Sequence, residues 1–463
     1  MKNSPSLKRA ITLLLTGISV LIEWLWYEHY WFTELFPRWV KESLNFYSRG
    51  HIIVLGVYGA LILGFCFTYG ATKLNYYKSS EIVVSIIFAT VITNLITYAQ
   101  ISLMCMKPLP AYRFLVMTAY QIICSSAWVI IMQLILSKLF RPRKLLLVSA
   151  ERPIEDILKK FGSRKDKYTI TKSMNISEGM EAIKAEILEP GKYDGIIIWD
   201  VPASPRNNLL KFCYGKKIRI YTMPKISDVI LRGSEQLHLF DTPVLLTREY
   251  DLKIEQRFMK RAIDLIIAFI ALIPGIPIMI LTALAVKLYD GGPILYKQIR
   301  CTKDMREFKI LKFRSMRIDA EKDGVARLAS KGDSRITPVG KVIRAIRFDE
   351  LPQLFNIIKG DMSFIGPRPE RPEIIAQYLE TMPEFILRTR VRAGLAGYAQ
   401  VYGKYNTTPY DKLKLDLFYI DNYSVLLDLR LLLLTLKILA TPDSTEGIES
   451  NQITAEKNYD EGQ

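Results

Sequence analysis

Four long apolar segments fill most of the first 140 positions, at roughly residues 11–27, 51–72, 82–105 and 112–139. At about 1.5 Å of helix per residue, each can cross a hydrocarbon layer about 30 Å thick. Residues 1–140 are therefore expected to form a four-span transmembrane helical bundle. Basic residues set its direction. Lys2, Lys8 and Arg9 precede the first run, Lys73 and Lys78 lie between the second and third, and Lys138, Arg141, Arg143 and Lys144 follow the fourth. The other side carries Arg38, Lys41, Arg49, Lys107 and Arg113, partly offset by Glu34 and Glu42. The positive-inside rule puts the N-terminus and everything after residue 140 on the cytoplasmic face. Four crossings return the chain to the side on which it began, so count and charge agree.

The rest of the chain alternates charged and apolar stretches as soluble protein does, and 463 residues leave room for two or three domains. Residues 145–148, 168–170, 195–199 and 218–221 read as strands separated by helical periodicity. Residues 141–245 are thus expected to form a small Rossmann-like parallel α/β domain. Dinucleotide sites need glycines in the turn after the first strand, where the backbone approaches a pyrophosphate. Here that turn is Ser149-Ala150-Glu151-Arg152-Pro153, with no glycine and a carboxylate in the phosphate's place. The nucleotide-binding character is degenerate, and a scaffold or regulatory role is the better reading. A formal charge of +17 suits phosphates, an anionic membrane or nucleic acid alike. Cys66, Cys105, Cys124, Cys213 and Cys301 show no metal-ligand spacing, and His29, His51 and His238 are scattered. Neither a zinc site nor a disulfide framework is expected.

A fifth apolar stretch occupies residues 262–286. Its length allows an ordinary crossing helix, but two features favour a re-entrant helix that breaks and turns back within the membrane. Pro274 and Pro277 sit at mid-segment with Gly275 between them, and each proline removes a helical hydrogen bond. Both flanks are basic, with Lys260 and Arg261 before and Lys287, Lys297 and Arg300 after, so a crossing would carry one cluster outside. Asp264 is expensive inside the run unless paired, and Arg261 shares its helical face. Lys260, Arg261 and Asp264 are expected to anchor the segment at the interface.

Between 296 and 403 lie polar clusters that core packing does not require. The first is Lys312-Phe313-Arg314-Ser315-Met316; the second is Arg344 and Arg347 leading into Asp349-Glu350-Leu351-Pro352-Gln353. Gly360-Asp361-Met362-Ser363 follows and runs into Gly366-Pro367-Arg368-Pro369-Glu370. Leu351, Leu354, Phe355 and Ile358 recur at helical spacing, and Pro352 suits a first turn, so Asp349 and Glu350 fall at a helix start. Unpaired amides there keep carboxylates ionised and can also receive a phosphate. An ionised aspartate can attack phosphorus directly. Mg²⁺, held by Asp349 and Glu350, would relieve their repulsion and bridge to pyrophosphate oxygens. An isolated Asp-Glu would read more readily as a capped helix with a solvated glutamate. Arg314, Arg344, Arg347 and Arg368 shift the balance toward a polyanionic substrate. Pro367 and Pro369 fix the backbone on either side of Arg368, which serves either a rigid surface turn or repeated phosphate contact.

Taken in order, these elements resemble the monotopic phosphoglycosyl transferases, or bacterial sugar transferases. The series runs from Lys260-Arg261 with Asp264 through the proline-broken segment, Gly292-Pro293, Gln298, Arg300 and Lys312 to Met316. It continues with Asp333-Ser334-Arg335-Ile336-Thr337, Asp349 to Gln353, Asn356, Lys359 to Ser363 and Gly366 to Pro369. The resemblance implies an α+β catalytic domain over 246–440; the tail at 441–463 is polar and net acidic and is expected to be disordered. It implies transfer of a hexose-1-phosphate from a UDP-sugar to undecaprenyl phosphate, with Asp349 as nucleophile and Mg²⁺ as cofactor. Lys312, Arg314, Arg335, Arg347, Arg368, Pro367 and Pro369 are the residues expected around the phosphates. The implied setting is the cytoplasmic face of a bacterial cell membrane, at the start of exopolysaccharide or capsule synthesis. Lipid is an implied partner and nucleic acid is not; homo-oligomerisation is left open. Phe348, the Cys301-Thr302-Lys303-Asp304 turn and Ala393 depart from the pattern, where a leucine, a glycine-rich turn and a proline are more usual. Polytopic sugar-phosphate transferases and conventional glycosyltransferases fit less well, since the chain has no Asp-Asp pair and no Asp-x-Asp. A membrane sensor with a nucleotide-binding α/β domain is the non-enzymatic alternative.

Overall fold

The computed structural model describes residues 5–41, 49–239, 241–247, 252–317, 333, 335–403 and 407–439, and the tail at 441–463 lies outside them. The described chain forms two compact units that divide at Pro224 and Lys225.

In the first unit, α1 (Pro5–Tyr30) runs on through Trp31–Val40 with wider π-helical winding that accommodates Pro37. Next come α2 (Gly50–Tyr69), α3 (Ser79–Met104) and α4 (Ala111–Leu139). All four are long and apolar enough to cross a membrane. Helix α1 packs on α2 and α4, and α3 packs on both α2 and α4. Their outer faces carry Leu13, Leu63, Leu95, Leu115 and Leu134, as a lipid solvent permits. A polar network crosses the interior. Glu23 Oε1 accepts from Thr90 Oγ1 at 2.9 Å and Ser125 Oγ at 2.7 Å, joining α1, α3 and α4. Asn94, Gln121 and Tyr58 close the network, with Gln121 Nε2 donating to Tyr58 Oη at 2.7 Å and to the Glu23 carbonyl at 2.9 Å. Polar residues in such spans are costly unless they find one another.

The α/β part has strands β1 (Arg143–Ser149), β2 (Tyr168–Asn175), β3 (Gly195–Trp199) and β4 (Arg219–Thr222), with α5 (Glu155–Gly162), α6 (Met180–Ile187) and α7 (Ala203–Gly215) between them. The sheet is wholly parallel in the order β2-β1-β3-β4. Its central strands are continuous apolar runs because helices cover both faces; Leu145 through Val148 are fully buried.

The second unit contains α8 (Ile226–Arg232), the hairpin β5 (Glu235–Leu239) and β6 (Thr242–Leu246), and α9 (Ile254–Asp290). Helix α9 is unbroken through Pro274 and Pro277. Helical winding continues where the sequence predicts an interruption, because one face of the helix is supported along its length; a bend at a proline keeps such winding. Lys260, Asp264, Ala268, Gly275, Met279, Thr282 and Val286 form a buried stripe at spacings of three, four and seven residues, one helical face. The remaining elements are the antiparallel ribbon β7 (Leu295–Cys301) and β8 (Glu307–Phe313), then α10 (Pro338–Ala345) and α11 (Gln353–Lys359). They are followed by β9 (Ser363–Ile365), α12 (Pro372–Thr381), β10 (Gly394–Ala396), α13 (Tyr398–Tyr402), α14 (Pro409–Asp421) and α15 (Val425–Leu439). Strands β9 and β10 pair in parallel, so close that a Cβ on Gly394 would lie 2.1 Å from the Gly366 nitrogen. Only glycine allows that approach.

Candidate active site

Asp349 and Glu350 lie on the single 3₁₀ turn Phe348–Glu350, immediately before α11 rather than in its first turn. Arg347 enters the turn with φ at 60°, a left-handed conformation that is unfavourable for a side-chain-bearing residue. Phe348 and Leu351 pack with Met279, Val286, Phe313 and Ile343, so the turn rests on α9, β8 and α10. Here the Phe348 departure is a tolerated apolar contact. Asn356 fixes β8 to α11, accepting from the Leu311 amide at 3.0 Å and donating to the Lys309 carbonyl at 2.9 Å. That brings Lys312 to the acidic pair.

Glu350 is the hub of the charges. Its Oε1 accepts from Lys312 Nζ at 3.0 Å and Arg368 Nη2 at 3.2 Å, and Arg347 Nη1 stands 3.6 Å from Oε2. Burial works to raise its carboxyl, but Lys312, Arg368 and Arg347 outweigh that and hold it well below the ordinary carboxylate range. Asp349 is different: it is buried, and its Oδ1 has no hydrogen-bond partner. Burial and then the Glu350 charge raise its carboxyl, against Lys312, Arg344 and Arg347. Two adjacent carboxylates thus have opposite characters, one locked in ions and the other with an oxygen uncommitted.

Around them, the structure gathers Lys312, Arg347 and Arg368 and leaves two expected cations elsewhere. Arg314 is buried against Asp290, with one nitrogen 2.7 Å from Oδ2, and donates to the Pro293 carbonyl at 2.8 Å. It ties the end of α9 to the ribbon. Arg335 pairs with Asp333 at 2.6 Å. Pro367 and Pro369 act through their carbonyls, which accept from the Gly394 amide at 2.9 Å and Arg300 Nη1 at 3.1 Å. Lys260 donates to Asp428, the Ile365 carbonyl and Tyr419 at 2.7, 2.8 and 3.1 Å. Arg261 and Asp264 bind neighbouring elements rather than each other. Arg261 caps α11 through the Ile357 and Ile358 carbonyls, both at 2.6 Å, while Asp264 accepts from Ser363 Oγ at 2.9 Å and the Phe364 amide at 3.0 Å.

Residues that single-sequence reasoning missed hold the Arg368 turn from behind. Arg388 Nη2 donates to the Arg368 carbonyl at 3.0 Å, and Asp416 holds Arg388 at 2.8 Å. Nothing in the local pattern marks Asp416, since it looks like one more polar position on α14. The two loop departures also explain one another: Ala393 donates its amide to Thr302 Oγ1 at 3.1 Å, a bond a proline has no hydrogen to make.

If Asp349 is the nucleophile it acts only when ionised, and its raised carboxyl is then expected to set the acid limb of kcat/KM above the ordinary aspartate value of about 3.9. Glu350 stays ionised across that limb. In Glu350→Gln the neighbouring negative charge is gone while the cations remain, so the limb is expected to move to lower pH in the residual activity. A pH–rate profile checks this; an unmoved limb means that Asp349 does not set it.

The chain matches the family model described as bacterial sugar transferase over residues 255–442. It is 43% identical over 258 residues to a UDP-N-acetylgalactosamine-undecaprenyl-phosphate N-acetylgalactosaminephosphotransferase of Aeromonas hydrophila, covering 54% of this chain and 60% of that protein. An undecaprenyl-phosphate glucose phosphotransferase of Komagataeibacter xylinus is 36% identical, over 53% of this chain and 48% of its own length. The match thus spans about half the length of these two relatives. A UDP-glucose:undecaprenyl-phosphate glucose-1-phosphate transferase of Caulobacter vibrioides is 38% identical, over 40% of this chain and 71% of that protein.

Proposed function

Because the chain belongs to the bacterial sugar transferase family, we propose that it moves a sugar-1-phosphate from a UDP-sugar to undecaprenyl phosphate through a covalent phosphosugar on Asp349. The observation that carries this reading is the buried, unpartnered Asp349 Oδ1 beside a Glu350 held ionised by three cations. The Asp349 oxygen attacks the β-phosphorus, the bond from that phosphorus to the bridging oxygen breaks, and UMP leaves with the electron pair. The lipid phosphate then attacks the same phosphorus and releases the Asp349 carboxylate. Lys312, Arg347 and Arg368 steady the phosphate charge in both steps. The product would be the first lipid-linked sugar of an exopolysaccharide or capsule-type glycan.

Mg²⁺ commonly binds through one or two carboxylates plus substrate phosphates, and the adjacent Asp349 and Glu350 are the residues that would hold it, Asp349 through the oxygen that does not attack. When bound, it would neutralise phosphate charge. The deciding experiment is UMP release from UDP-glucose, UDP-galactose and UDP-N-acetylgalactosamine with undecaprenyl phosphate, with Mg²⁺ supplied or chelated. UMP release from one of the panel, lost on chelation and restored by Mg²⁺, is expected. UMP formation from none of them would overturn the transferase reading.

Helix α9 is proposed to be re-entrant, bending within one leaflet and leaving the catalytic domain on the cytoplasmic face. At about 1.5 Å per residue its 37 residues exceed a bilayer core. Its buried stripe stays on one domain from Lys260 to Val286, while Ile266, Phe269, Ile270, Ile273, Leu281 and Leu284 face outward. Single cysteines at Lys253 and Gly292, in a cysteine-free background, are expected to react with an impermeant maleimide from the same side of sealed vesicles. Labelling from opposite sides would make α9 a crossing helix.

A further inference from the structure

Parallel α/β sheets usually bind ligands beyond the C-terminal ends of their strands. In this sheet the unusual charge lies at the opposite edge. Arg143 and Arg219 begin β1 and β4, Lys167 immediately precedes β2, and Arg164 lies in the turn before it. Lys8, near the start of α1, has its ammonium 4.9 Å from the centre of the Phe140 ring. It lies within electrostatic reach of Arg143 and Arg219, and Lys167 within reach of Arg164 and Lys8. Five cations from four segments therefore converge.

Mutual repulsion should drive such side chains outward, yet all five are half-buried, while Arg9, Lys78, Arg141, Lys144 and Lys165 nearby are exposed. Backbone carbonyls hold two of them in place. Arg164 Nη1 donates to the Tyr76 carbonyl at 2.6 Å and Lys167 Nζ to that of Leu74, fastening the sheet edge to the loop between α2 and α3. The carboxylate that reaches the group is Asp166, itself exposed and paired with Arg164 at 3.0 and 3.1 Å. Burial, then Arg164, pushes the Lys167 ammonium down to about 8, as expected of a cation short of counter-charge. Hydrogen bonds to neutral carbonyls orient these groups without neutralising them.

We propose that Lys8, Arg143, Lys167 and Arg219 form a phosphate-binding site, filled by an anionic lipid head group at the membrane boundary or by free phosphate. Bound phosphate would supply the missing negative charge and lock the sheet edge against the helices. The test follows thermal unfolding of the full chain in neutral detergent. One arm titrates dioleoylphosphatidylglycerol against dioleoylphosphatidylcholine; the other titrates inorganic phosphate against chloride at equal ionic strength. A rise of about 4 °C or more in one arm is expected, and which arm responds identifies the source. The rise should vanish in a Lys8→Gln, Arg219→Gln double variant and persist in a control with exposed Lys78→Gln and Lys144→Gln. Arg368 is unchanged in every variant, so any rise from phosphate at the candidate active site is common to all of them and is subtracted before the rise is compared. If the double variant does not fold, Arg219→Gln and Lys8→Arg are compared in the same way, the first losing the rise and the second keeping it. An equal rise with and without these charges, or none in either arm, overturns the site.

Discussion

Asp349→Asn is expected to lower UMP release by at least about 10³-fold, the scale seen when a group acting in the transition state is removed. The amide matches the carboxylate in size and keeps the turn in place, but it has no anionic oxygen to form a bond to phosphorus. Folding should not suffer. Because burial and Glu350 raise the Asp349 carboxyl, its ionised form works against the fold at neutral pH, so a neutral isostere should raise the unfolding midpoint. A UDP-sugar labelled at the β-phosphorus should leave label on the unsubstituted protein and none on the variant. Turnover near the original rate, with label still bound elsewhere, would remove Asp349 from the nucleophile's role.

Asp416→Ala should have the largest effect on stability, at about 3–5 kcal/mol, the usual cost of removing one member of a buried ion pair. Asp416 is 1% exposed and Arg388 6%, and the pair closes at 2.8 Å. Without the carboxylate, Arg388 keeps its charge in a buried site, with Glu370 3.7 Å away as partial compensation. Activity should fall as well, because the same guanidinium holds the Arg368 carbonyl. Denaturant unfolding measures the first effect. For the second, KM for the UDP-sugar should rise more than kcat falls, if Arg368 contacts phosphate in the ground state. A loss below about 1 kcal/mol would mean that solvent already reaches the pair.

Apolar runs and period-two segments carried most of the fold in advance, because each reports its own burial. The runs before residue 140 correspond to four long helices, and all four strands of the parallel sheet lie where the pattern placed them. The prolines of α9 do not interrupt its helical winding, for a physical reason. A local rule counts the lost hydrogen bonds, whereas the helix is held by a stripe of contacts with elements far along the chain. The acidic pair and Arg368 were legible because each stands in a distinctive string of residues. Arg314 and Arg335 stand in similar strings but pair with nearby aspartates, a choice that depends on where Asp290 and Asp333 come to lie. Arg388 and Asp416 were invisible for the complementary reason: their meaning is their partnership, and no spacing along the chain records it.

The polar network around Glu23 also acts as a keyway for assembly. Sliding α1 by one helical turn, about 5.4 Å, would carry Glu23 away from Thr90 and Ser125 and strand several polar groups at about 1–3 kcal/mol each. Leucines on the lipid-facing side offer no such discrimination, since any alignment suits them. A few residues separate the end of α4 at Leu139 from the start of β1 at Arg143. The contacts at Glu23 therefore fix the register of α1 against α3 and against α4, the helix from which the sheet continues.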